Sequence, residues 1–195
     1  MTAPGQVNGC TRISSEGGIY VQKQGKSNIS DTQTATFEFD GFNAVWQHRT
    51  WGTPPDPDYP WALFIYGEKG TLKASTMRAD FIPIDDKSKP IHFECLYEKE
   101  QYPEDVTEKH IELNAAPATR RHMRDFLAAV NTRGSPVADI EQGHISTASC
   151  ILANISMDLG RPLLYDHVKR AVTNDKEATV RLKRPYRSSW KYPGS

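Results

Sequence analysis

Neither sign of charge is in excess in this 195-residue chain, where 24 lysine and arginine residues meet 24 aspartate and glutamate residues. No overall field draws it to a polyanion or a membrane surface, so nucleic acid is not an expected partner. Cysteine is scarce. Cys10, Cys95 and Cys150 lie far apart with no C-x-x-C spacing, which argues against a zinc ribbon and a disulfide framework and fits a reducing, cytoplasmic setting. No window is apolar enough to span a bilayer, and "MTAPGQVNGC" lacks the basic-then-apolar order of a signal peptide. The sequons at Asn28 and Asn154 are then read as chance. The six histidines never approach metal-ligand spacing, and H-E-x-x-H and G-x-S-x-G are both missing. G-x-G-x-x-G is missing too, and no strand–helix alternation supports a dinucleotide fold. "QGKSN", Gln24 to Asn28, resembles the end of a phosphate loop, but the first glycine of that motif would fall at Tyr20.

What is present reads as strands first and helices last. "TQTATFEFDGFNAVWQHRT", Thr32 to Thr50, alternates apolar and polar residues up to Asp40-Gly41 and turns apolar again after it. Asp-Gly suits the two positive-φ positions of a type I′ turn, so a hairpin is expected, with Ala35, Phe37 and Phe39 on one face and Thr34, Thr36 and Glu38 on the other. The proline-rich "GTPPDPDYPW" then forms a surface loop, since proline cannot sit inside a sheet. "ALFIYGEKGTLKAS" reads as a buried strand, a tight Gly-Glu-Lys-Gly turn and a returning strand, with "MRADFIPI" and "IHFECLY" continuing an antiparallel meander. Residues 99–118 are polar and charged, as in a linker or crossing segment. Beyond them Met123, Phe126, Leu127 and Val130 fall at helical spacing before Gly134. Ile145, Ala148, Ile151, Leu152, Ile155 and Leu159 then mark one broad face of a second helix that stops at Gly160. The order implies an α+β layer fold, in one domain over residues 1–195.

Four residues stand out as candidates for ligand contact. At the start of the second helix, Asp139 and Gln142 have capping-box spacing and Glu141 sits where the helix dipole favours an acid. Capping leaves His144 unexplained; it is either a structural histidine or a pocket residue. "WQHRTWG" puts His48 and Arg49 at a strand end next to the loop that carries Tyr59 and Trp61. Such a set lines a sugar or polyol pocket, with rings against C–H faces and donors on hydroxyls, or else is a solvated strand end. "RLKRPYRSSWKYPG" mixes basic and aromatic residues as single-strand binders do, but at zero net charge a tail docked on its own domain is the better reading.

The succession "TQTATFEFDGF", "WQHRTWG", "YGEKGTL", "MRDFLAAVNTRGSPVADIEQGHIS" and "RPYRSSW" resembles the C-terminal domain of the Gfo/Idh/MocA oxidoreductases, the glucose-fructose oxidoreductase and inositol dehydrogenase family. The resemblance implies a large, mainly antiparallel sheet with helices packed on one face, a domain that shapes the substrate pocket and builds homo-oligomers through the open sheet face. It also implies a preceding Rossmann domain that binds NAD or NADP, so that 1–195 is incomplete at its N-terminus. The family's Glu-Lys-Pro lysine and D-x-x-x-H histidine have no counterpart here: the chain has "EKG", "EKE" and "EKH", and Asp139 and His144 are one residue too far apart. No catalytic or cofactor-binding residue is therefore assigned, and the chain alone is not expected to transfer hydride. The resemblance matches Tyr59, before the Gly-Glu-Lys-Gly turn, to a position where some relatives place a substrate-facing aromatic, and His144 to one where relatives place a polar group on this helix; His48 and Arg49 rest on the strand-end argument. The expected substrate is a sugar or polyol. The alternative is a free-standing carbohydrate-binding or assembly module without redox activity.

Overall fold

The computed structural model describes residues 8–76, 78–85, 87–94, 97–107, 115–183, 186–187 and 189–190. Cys95, half of the basic C-terminal tail and part of the 99–118 segment lie outside the described residues. In chain order the elements are β1 (Arg12–Gly18), β2 (Thr32–Phe39), β3 (Phe42–Arg49), β4 (Leu63–Gly67), β5 (Gly70–Ala74), β6 (Arg78–Pro83), β7 (Ile91–Glu94), α1 (Glu104–Thr107), α2 (Ala115–Thr132), α3 (Ile140–Leu159), β8 (Leu163–Asp166), β9 (Ala171–Val172) and α4 (Lys176–Arg181). The class is α+β, and every strand pair is antiparallel among the described residues. The chain divides into two compact units, Met1–Trp51 with Ala138–Ser195, and Gly52–Val137.

The first unit is a five-stranded sheet, β3-β2-β1-β8-β9, with α3 packed on β1. Its hairpin has the expected register, Phe39 opposite Phe42 and Thr32 opposite Arg49. The turn differs from expectation: Gly41 takes φ 86° while Asp40 keeps a negative φ, so this is not type I′. Stacking of the Phe39 and Phe42 rings, 4.7 Å apart, closes the hairpin end. Ala35 is fully buried and Phe37 and Phe39 pack against the core, as the alternation predicts. Facing them, α3 buries Leu152, Ala153, Ile155 and Ser156, while Ile151 turns to the surface. Small residues let helix and sheet approach closely: the Ser15 amide donates to Ser156 Oγ at 3.1 Å, and that hydroxyl donates to the Arg161 carbonyl at 2.9 Å. Gly160 ends α3 in the left-handed region at φ 64°.

The second unit is a four-stranded meander, β4-β5-β6-β7, followed by α1 and α2. Its strands occur where the sequence places them, but β4 is not the buried strand its apolar run predicts. It is an edge strand, and Leu63, Ile65 and Tyr66 are exposed. The register puts Leu63, Ile65, Leu72, Ala74, Ala79, Phe81, Ile91 and Phe93 on one face of the sheet, which is thus apolar throughout. The expected linker contains α1 and the first turn of α2. This segment is tied to α2 by Arg120 on the buried Asp105 and by the Arg120 guanidinium 3.8 Å from the Tyr102 ring centroid, and Glu98 just before it accepts from Arg124 at 2.8 and 3.2 Å. At the other end of α2 the left-handed residue is Arg133, φ 55°, and Gly134 follows it, donating to the Ala129 carbonyl at 3.0 Å. The helix stops one residue before its glycine.

Candidate functional site

The two acids that open α3 are used by the helix itself. Asp139 Oδ1 accepts from the Gln142 amide at 2.8 Å from an extended N-cap backbone, and Glu141 in the first turn pairs with Arg170 at 2.7 Å. His144, one turn further on, lines a cavity of about 180 Å³. The first two turns of α3 form one wall, the chain entering β1 a second, and the end of β8 a third. Sequence periodicity does not reveal this cavity, because it is completed by Cys10, far from α3 in the chain, and by Tyr165 on β8, which pairs with β1. Cys10 is buried, with Sγ 3.5 Å from Ser149 Oγ, and burial pushes its thiol pKa up. Burial likewise raises the Tyr165 phenol. The chain can pass this close only because residue 9 is glycine, since a Cβ there would stand 2.5 Å from His167 Cβ.

His48 and Arg49 are at the opposite end of β1 from this cavity, by way of the pairs Arg49 to Thr32 and Thr32 to Gly18. As neighbours on one strand they project to opposite faces. His48, opposite Gln33, shares the face of Ala35 that α3 covers, and Arg49 is on the other. Beside them Trp51 Nε1 donates to Thr32 Oγ1 at 2.9 Å. The adjoining loop is pinned by Asp31, whose buried carboxylate accepts from the amides of Tyr20, Val21 and Gln22 at 2.7–2.9 Å and is held well below the usual carboxylate range by them.

Tyr59 belongs to the second unit. Although it sits in the proline-rich loop it is 4% exposed, and its hydroxyl donates to Asp80 Oδ2 at 2.5 Å. Burial first, and then Asp80, push its pKa up to about 12. The chain of contacts continues from Asp80 Oδ1 to His92 Nδ1 at 2.5 Å and from His92 Nε2 to Glu94 at 2.9 Å, all on the polar face of the meander. With a carboxylate on each ring nitrogen, His92 is stabilised as the imidazolium, and its pKa is raised by Asp80 first and Glu94 second. Lys73 joins this face through Asp56 at 2.7 Å. Sequence reasoning missed this network; the sign available to it was the cross-strand pairing of Asp80 with His92. Of the four sequence-predicted residues, then, His144 lines the cavity at the start of α3, His48 and Arg49 lie at the far end of β1 from it, and Tyr59 belongs to the second unit.

No group of three or more His, Cys, Asp or Glu side chains able to hold a metal occurs among the described residues. A dinucleotide calls for a parallel βαβ unit with a glycine-rich turn at a helix N-terminus. The described strands pair only antiparallel and α3 opens on the carboxylate of Asp139, which would repel a pyrophosphate, so the residues present do not fit that cofactor. No helix among the described residues is long and apolar enough to cross a membrane.

Among solved structures the fold is similar to an oxidoreductase from Agrobacterium radiobacter in complex with NAD+, L-tartaric acid and magnesium, with a TM-score of 0.60 at 11% identity over 80% of this chain and 43% of that one. A probable dehydrogenase from Thermotoga maritima aligns at a TM-score of 0.47 and 13% identity, over 80% of this chain and 44% of the other. The chain thus spans less than half the length of either. No curated protein matches it. Residues 95–192 match the Gfo/Idh/MocA oxidoreductase family, C-terminal alpha/beta domain, and this chain belongs to that family.

Proposed function

We propose that the chain is the substrate-binding and oligomerisation part of an NAD(P)-dependent oxidoreductase that acts on a sugar or polyol in the cytoplasm, with the cofactor held by a domain outside residues 1–195. The observation that carries this reading is the family match over 95–192, supported by a fold likeness that extends over 43% of an oxidoreductase whose structure contains NAD+. His144 meets the substrate. Tyr59, its hydroxyl engaged by Asp80, acts as a positioning residue; His48 and Arg49 contact hydroxyls from opposite faces of β3, so one small substrate engages only one of them. The apolar face of the meander pairs with a second copy. Leu63, Ile65, Ile91 and Phe93 are each about half exposed on that face, at 59%, 48%, 50% and 55%, and a contiguous apolar surface of this kind is what an interface covers.

The decisive experiment is to read the genomic frame upstream of Met1 while titrating the isolated chain with NADH. An open frame that encodes G-x-G-x-x-G, E-K-P and D-x-x-x-H, together with no saturable NADH binding by the chain alone, is the expected result. An in-frame stop with a start site, or saturable binding at micromolar NADH, overturns the assignment. For the interface, light scattering should report an oligomer that Phe93→Lys converts to monomer; a monomeric parent chain removes that part of the proposal.

A further inference from the structure

We propose that the cavity at the start of α3 is a site for a small neutral polyol of three or four carbons, an inference that rests on the substrate-binding role proposed above and narrows it. Volume sets the size class. At about 180 Å³ the cavity is close in size to the ~150 Å³ engineered cavity that holds benzene, which suits a triol or tetrol and is small for a hexose.

The lining sets the chemistry. Tyr165 is nine-tenths buried, at 9% exposure, and among the described residues its phenol hydroxyl has no hydrogen-bond partner. The hydroxyl itself is open to the cavity, since the one buried side-chain nitrogen or oxygen without a partner among the described residues is Arg120 Nε, and a ligand hydroxyl entering there can pair with it. His144 and His167 also line the space, and neither ring makes a hydrogen bond or ion pair among the described residues. A neutral imidazole offers one donor and one acceptor, the pattern a hydroxyl matches with its own donor and lone pairs. Ser149 adds a further hydroxyl to the same wall, while Ile145 and Ala148 present apolar surface for the C–H edges of the carbon chain.

Charge then excludes the acidic relatives of such a ligand. The formally charged side chains lining the cavity are Asp139 and Glu141; no lysine or arginine lines it, and Arg170, 2.7 Å from Glu141, offsets one of the two negative charges. A carboxylate entering here meets like charge, whereas a neutral polyol does not.

The test is a titration of the full chain with meso-erythritol, followed by NMR of the histidine imidazole signals, with glycerol and D-glycerate as comparators. Saturable shifts confined to His144 and His167 are expected. Tyr165→Phe should weaken binding about tenfold without lowering the unfolding midpoint, because the hydroxyl it removes has no protein partner. Ala148→Leu, which fills the space and leaves the polar groups in place, should abolish binding, and it carries the test if Tyr165→Phe does not fold. Absence of saturable shifts, binding unaffected by Ala148→Leu, or tighter binding of D-glycerate than of erythritol overturns the proposal. The readout needs no cofactor. Failure here beside an upstream frame encoding the dinucleotide motifs removes this site alone, and binding beside an in-frame stop removes the oxidoreductase reading alone.

Discussion

The two units of this chain are built on opposite principles. Cys10, Ile13, Ala35, Leu152, Ala153, Ile155, Leu163, Tyr165, Val172 and Ala178, all in the first unit, form one buried cluster. In the second unit Tyr59 and Pro117 are the only buried apolar residues among those described. That unit is joined instead by polar links, Tyr59 to Asp80 to His92 to Glu94 beneath the proline-rich loop and Arg120 to Asp105 along α2, while Leu63, Ile65, Ile91 and Phe93 of its apolar sheet face are exposed. Burial of aliphatic surface is the main source of folding free energy, and exposed ion pairs contribute little. The first unit therefore holds itself together, and the second has a surface that suits a partner.

Three measurements sharpen this contrast. The largest effect is expected from truncating matched aliphatics: Leu152→Ala in the first unit should cost about 2–5 kcal/mol in urea unfolding, whereas Ile65→Ala in the second should stay within about 0.5 kcal/mol. Equal losses would mean that both units carry a closed core. Next come the helix ends. α3 stops on Gly160 in the left-handed region with open space around its Cα, so Gly160→Ala should cost about 1 kcal/mol from backbone strain alone. α2 stops on Arg133 in the same conformation, and Arg133→Gly should gain about 0.5–1 kcal/mol. The opposite signs are the check.

The smallest effect is that of pH on the polar face. The raised pKa of His92 contributes stability that is complete below its ordinary value of 6.5 and is lost as pH rises through the raised value. Asp80, lowered first by its hydrogen bond from Tyr59 and then by His92, contributes above its ordinary 3.8 and loses that contribution as pH falls through the lowered value. Because the His92 side chain is 50% exposed, solvent screening keeps the effect modest. Amide protection factors, corrected for the intrinsic rise of exchange with pH, should be highest for β6 and β7 in mildly acidic buffer and should fall above the His92 titration, with those of β1 and α3 unchanged. Protection that falls equally in both units would sink this assignment.

Where local pattern determines structure, the sequence is legible. The Thr32–Arg49 hairpin, the meander around Gly67 to Gly70 and both long helices follow from alternation, turn residues and helical spacing. β1 is not legible in the same way: "RISSEGG" has one large apolar residue, Ile13, because its other buried position is Ser15, fitted against Ser156 of α3. A strand selected for close approach loses the hydrophobic signal that would announce it. The site is harder still. His144 is visible as an unexplained polar residue near a cap, but Cys10 and Tyr165 become its neighbours only through pairing between β1 and β8. Tyr59 reads as an exposed loop aromatic until Asp80 is brought to it by the meander.

The pairing of Ile13 with Leu163 has a temporal consequence. All of residues 52–137 lie between the two segments of the first unit, so on the ribosome β1 to β3 emerge long before the helix that covers them. Synthesis proceeds at about 5–20 residues per second, and in that interval Ile13, Ala35 and Phe37 have no α3 to bury them. The meander, with its short-range contacts, can form in the meantime. Nascent chains of this protein thus pass through a stage with two bare apolar sheet faces, the point at which a chaperone would have most to hold.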